Sequence, residues 1–162
     1  MPRGRHRRQP SHRIRNFVAA LAKSTPLALG LLRERAKSAE STKDWRQKAK
    51  LAIVALDLKD PSLCQEMLRL RPNPIQRTVL VDTFPAWHGS VEQLATDLRS
   101  VEDGEFRSGL AMAIGSIADD ELTPGAKQGW QVVFDDWYRT APDAATHSAS
   151  GWALRNWCAA GT

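Results

Sequence analysis

The residue types that could do chemistry are present in this chain, but their spacing does not assemble them. Cys64, His88, His147 and Cys158 are scattered, and no His-Glu-x-x-His motif brings two metal ligands onto one helix face. His147-Ser148-Ala149-Ser150-Gly151 holds serine beside histidine. The first glycine of a nucleophile elbow is missing, however, and no strand pattern precedes the segment. Asp119-Asp120-Glu121 and Asp135-Asp136 could bind a divalent cation or act as acid and base. The first cluster stands just before a helix start at Thr123-Pro124, where acids suit the helix dipole. The second falls inside a helical pattern, where adjacent side chains diverge by about 100° and cannot share one tight site. We therefore expect no enzyme, no metal site and no cofactor.

Two other groups of residues could bind rather than react. Arg3, Arg5, Arg7, Arg8, Arg13 and Arg15, with His6 and His12, form a nearly apolar-free arm. Such dense like charge predicts a disordered segment that can contact phosphate through counterion release, or simply a solvated tail. The arm is also not a clean targeting signal. Lys23 and Pro26 interrupt the apolar stretch that begins at Phe17, and Arg7-Arg8 leads into Gln9-Pro10 rather than apolar residues. The second group is aromatic: Trp130, Trp137, Trp152 and Trp157 fall in the last two helical patterns. Trp130 and Trp137 are seven residues apart, on one helix face, which reads as a core stripe. Exposed, the four would form a candidate interaction surface.

The elements that must position these residues are helical. From Ile14 onward the apolar residues recur at i, i+3, i+4 and i+7, as in Leu51, Val54, Ala55 and Leu58, and no stretch alternates with period two. Proline, glycine and Asx punctuation predicts helices over 26–39, 42–58, 61–70, 74–84, 90–100, 103–117, 124–140 and 143–157. Thr25-Pro26, Asp60-Pro61 and Thr123-Pro124 read as cap-then-proline starts, and Ser90 with Gln93 has capping-box spacing. At 162 residues, with 42% hydrophobic and 25% charged content, the chain is the size of one globular domain. Its charge is lopsided: residues 1–50 hold 14 basic against 3 acidic residues, and the remainder carries a net −6. The expected division is a basic arm over 1–24, a helical domain over 25–158 and a tail over 159–162.

Four of these helices share a pattern. Trp45-Arg46 with Ala49, Ala52 and Ile53 recurs as Ile75-Gln76 with Val79, Asp82 and Thr83. It recurs again as Phe106-Arg107 with Leu110, Ala113 and Ile114, then as Thr146-His147 with Ser150, Ala153 and Leu154. The polar positions are 30, 31 and 40 residues apart, room for a helix, a turn, a second helix and a turn. A helical pair cannot bury its apolar stripe alone, and small residues let neighbouring pairs approach, so the spacing predicts stacked repeats. Asp82 and Thr83 make the second repeat the poorest match.

The Asp103-to-Gly115 stretch resembles the second helix of HEAT-type repeats. Together with Leu68-to-Arg77 and Trp137-to-Ala149, it is similar to the helical region of planctomycete-type multidomain proteins. In that family the region stands between a serine/threonine kinase domain and a formylglycine-generating (sulfatase-modifying factor) domain. The ending Trp152-Ala153-Leu154-Arg155-Asn156-Trp157 resembles the last repeat before the latter. The resemblance covers roughly residues 40–157. It implies a short HEAT-like α-solenoid of three to four helical pairs and carries over no catalytic residue. The kinase's glycine-rich loop, strand lysine and catalytic and magnesium aspartates are absent from these residues.

The expected function is thus a non-enzymatic scaffold, related to that spacer, whose partner is a protein or an adjacent catalytic domain. A nucleic-acid-binding helical module using the arginine arm is the alternative. No apolar run approaches the length of a membrane span, and the cysteine usage suits a reducing, cytoplasmic setting.

Overall fold

The computed structural model describes residues 24–87 and 89–159, so the arginine arm and His88 lie outside the described residues. Every regular element among them is helical: α1 (Thr25–Ser41), α2 (Trp45–Asp57), α3 (Ser62–Leu68), α4 (Ile75–Thr83), α5 (Val91–Leu98), α6 (Gly104–Gly115), α7 (Pro124–Thr140) and α8 (Ala144–Ala159). Short 3-10 turns cover Phe84–Ala86 and Asp119–Glu121. The all-α class expected from periodicity is the observed one, and among the described residues no helix is long and apolar enough to cross a membrane.

Helix starts are set by side chains that accept the free N–H groups of the first turn. Asp44 accepts from Gln47, Asp103 from Phe106 and Thr123 from Ala126. Two expected caps are corrected. Helix α1 begins at Thr25 itself, with no side-chain cap on Ser24, and α3 begins at Ser62, with the Asp60 carboxylate accepting the Ser62 N–H from two residues upstream. The box at Ser90 is only half made: Ser90 accepts from Gln93, whose amide turns forward to Asp97. The expected tail is also one residue shorter, because Ala159 belongs to α8.

Packing follows chain order. α2 contacts α4, α4 contacts α6 and α6 contacts α8, while α1 packs on α2, α3 on α2, α4 and α6, α5 on α7, and α7 on α8. Polar contacts record the register. Lys48 of α2 reaches Gln76 of α4, and Arg77 of α4 reaches Ser108 of α6, each joining the starts of two helices. Between α6 and α8 the links are Thr146 Oγ1 to the Gly104 carbonyl, Asn156 to Gly115, and Trp157 Nε1 to Ile117, so these two helices run parallel. Their separations in sequence are 42, 41 and 40 residues. Gly115 permits this closeness, since a Cβ there would lie 2.6 Å from the Ala153 Cβ.

One continuous core runs from Ala36 to Trp157, including Ala49, Ala52, Leu56, Phe106, Leu110, Ala113 and Ala153. Cys64 lies inside it; burial, aided by nearby Asp60, pushes its thiol far above the usual range. In a Cys158→Ser protein we expect no reaction with a thiol reagent until denaturant is added, when one equivalent appears. Rapid labelling of the native protein would contradict this burial.

Candidate functional site

The tryptophan group does not form a surface. Trp130, Trp137 and Trp157 are fully buried, and only Trp152 is exposed, at 38%. This corrects the candidate interaction surface: α8 lies between α6 and α7, so one face of its aromatic residues is consumed by packing. Trp130 packs at a tilt on Phe134 and edge-on against Trp137, and Phe134 packs at a tilt on Trp157. Two indole N–H groups are used as ties, Trp130 to the Val91 carbonyl at 2.8 Å and Trp157 to Ile117 at 3.2 Å. The Arg107 guanidinium lies 5.5 Å from the Trp137 ring centre and also bonds the Val101 carbonyl.

Of the scattered candidates, His88 and the Cys158 side chain lie outside what the structure describes. Among the described residues no group of three His, Cys, Asp or Glu side chains is placed to hold a metal ion. His147 stacks on Tyr138 at 4.1 Å, and its Nδ1 lies 2.7 Å from the Tyr138 carbonyl, so it locks the α7–α8 turn. Ser148 is exposed and Ser150 buried, on different faces of α8. Asp119 pairs with Lys127 and Asp135 with Arg139. Arg3, Arg5, Arg7, Arg8, Arg13 and Arg15 lie outside the described residues.

A concave feature with converging charge is a groove of about 310 Å³ between α1 and α3. Its floor is Lys48, 1% exposed, whose ammonium donates to Glu40 at 3.0 Å, Glu66 at 2.7 Å and Gln76 at 3.4 Å. All three ammonium protons are thereby used, and four helices meet at one charge. Arg33 spans one side to Asp60 at 2.7 Å. Glu40 and Glu66 are each about 40% exposed and face the groove. Sequence reasoning missed this cluster: Lys48 sits in Arg46-Gln47-Lys48-Ala49-Lys50, and nothing local distinguishes it from its exposed neighbours.

Asp143 caps α8, its carboxylate accepting the Thr146 N–H at 2.7 Å. Partial burial works to raise its pKa, but the Thr146 hydrogen bonds and the Arg107 charge outweigh it, and the group sits below its ordinary 3.8. A lowered carboxyl pKa gives stability that is full above the unfolded value and is lost as pH falls through the folded one. Asp143→Ala should therefore cost about 1 kcal/mol at pH 7 and clearly less at pH 2.5, by urea unfolding at both. An equal cost at the two pH values would show that charge is not what the cap contributes. Comparison with protein-family profiles, with curated proteins and with solved structures returns no match for this chain.

Proposed function

We propose that the chain is a short HEAT-like α-solenoid acting as a non-enzymatic scaffold. It would present a helical surface to a protein partner or to an adjacent catalytic domain of the formylglycine-generating type. The observation that carries this reading is the agreement of two spacings. The sequence pattern repeats every 30, 31 and 40 residues. The contacts between α6 and α8 join residues 40–42 apart, Arg77 of α4 reaches Ser108 and Glu105, 31 and 28 residues on, and the Lys48–Gln76 contact between α2 and α4 spans 28. Stacked pairs that complete each other's cores are the physical basis of a repeat array.

An antibody against residues 90–157 tests the setting. A native band near 18 kDa means a free-standing module, and a much larger one a spacer within a multidomain enzyme. ATP-dependent phosphorylation, or oxidation of a cysteine substrate, by the pure chain would overturn the non-enzymatic reading.

A second reading, nucleic-acid binding, rests on the exposed Arg33, Arg35, Lys37, Lys43, Arg46 and Lys50 of the first helical pair, added to the arginine arm. Engaging about six phosphates predicts a loss of about a thousandfold in affinity between 50 and 200 mM salt, and weaker binding without residues 1–24. Absence of salt-sensitive binding to DNA or RNA at low ionic strength removes this reading.

A further inference from the structure

The turns after α1 and α2 are built alike. Each places a lysine in the left-handed region, Lys43 at φ 57° and Lys59 at φ 69°. The Lys43 N–H returns to the Glu40 carbonyl and the Asp44 N–H to Ala39, and the Lys59 and Asp60 N–H groups return to Leu56 and Ala55 in the same way. Glycine takes this position without steric cost, whereas a side chain strains it. At Lys59 the fold supplies the reason for a lysine, because its ammonium pairs with Asp97 of α5. At Lys43 the described residues supply none: the side chain is exposed and makes no ion pair or hydrogen bond with any of them.

Lys43 heads a row of such cations. Arg46 and Lys50 stand three and seven residues on, one turn apart on the solvent face of α2 and about 6 Å from each other along its axis. Both are exposed and, among the described residues, unpaired. Two cations of α1 differ: Arg33 is taken by Asp60 and Lys37 by Glu34. The nearest acid in sequence, Asp44, turns its carboxylate to the Gln47 N–H, and half-buried Asp57, two turns past Lys50, closes the row. We infer that Lys43, Arg46 and Lys50 hold the phosphate backbone of a nucleic-acid strand without reading its sequence. This rests on the nucleic-acid reading above and centres it on the outer face of α2. A protein partner fits the row less well. Helix α2 has no exposed large hydrophobic residue to anchor one, and lysine is depleted from protein–protein interfaces, whereas interfaces with nucleic acid are polar and strongly basic.

The test is binding of a labelled single-stranded oligonucleotide of mixed sequence to the full-length chain, followed by anisotropy between about 50 and 200 mM salt. Lys43→Gln with Arg46→Gln and Lys50→Gln removes three phosphate contacts. It should lower the slope of log affinity against log salt by about 2, and affinity at about 100 mM salt about a hundredfold. Lys37→Gln with Glu34→Gln, which removes an existing pair, should change neither. Lys43→Gly is the sharper variant: it should raise the melting temperature by about 2–4 °C while weakening binding about fivefold. If Lys43→Gly or the triple variant binds with wild-type affinity and salt slope, the inference falls and the nucleic-acid reading survives on the arm. No binding by the wild type removes both. Binding to phosphatidylserine vesicles alone, lost in the triple variant, would assign the row to an anionic membrane and overturn the inference.

Discussion

Trp157→Ala should lower stability by about 3–5 kcal/mol, whereas Trp152→Ala, five residues away on the same helix, should cost about 1 kcal/mol or less. Trp157 is fully buried, packs on Phe134 at 5.4 Å and donates its indole N–H to the Ile117 carbonyl. Truncation therefore opens a cavity at the α6–α7–α8 junction and orphans a carbonyl just past the end of α6. Trp152 is 38% exposed, so its truncation removes less buried surface and opens toward water rather than leaving an enclosed cavity. The contrast is large against a total stability of roughly 5–15 kcal/mol for a domain of this size. Urea denaturation of the two variants, read by helical circular dichroism, measures it. Equal midpoint shifts would mean that the last helix does not pack as described.

The Lys48 cluster gives the second large effect, with a sign that separates charge from packing. Removing both carboxylates, as Glu40→Ala with Glu66→Ala, leaves an ammonium at the groove floor with only Gln76 at 3.4 Å. Breaking a buried ion pair on one side typically costs about 3–5 kcal/mol. Here the groove admits water to the amine, and about 2–3 kcal/mol is expected. Lys48→Met, which removes the buried charge and keeps the chain length, should lie within about 1 kcal/mol of wild type. The two exposed carboxylates can then solvate freely. A Lys48→Met protein as unstable as the double alanine variant would show that the ion cluster itself holds α1 onto the rest. In a thermal scan the two variants should separate by several degrees.

These two clusters mark where the sequence was readable and where it was not. The helices were legible because proline, glycine and Asx residues fall at their ends, and those signals are local. At Ser62 the shift arose because the Asp60 carboxylate reaches past Pro61 to the Ser62 N–H, while α1 starts at Thr25 with no side-chain cap on Ser24. The burial of Trp130 and Trp137 was legible in their seven-residue spacing, whereas which tryptophan of the last helix is buried was not. Trp152 and Trp157 differ in burial through their relation to α6 and α7, which are distant in sequence. Lys48 was hidden for the same reason: its partners lie 8, 18 and 28 residues away, on three other helices. The arginine arm was conspicuous in composition, yet composition alone does not say what it touches.

A last regularity lies in the caps. Asp44, Asn73, Asp103 and Asp143 each accept a backbone N–H at the head of α2, α4, α6 and α8. The first-to-first contacts between these helices align their starts along one edge, so their macrodipoles point the same way and repel side by side. Each helix carries its own polar acceptor at its positive end. A free N–H group at the head of each of these four helices is thereby met by a residue of its own approach, without drawing on a neighbouring helix.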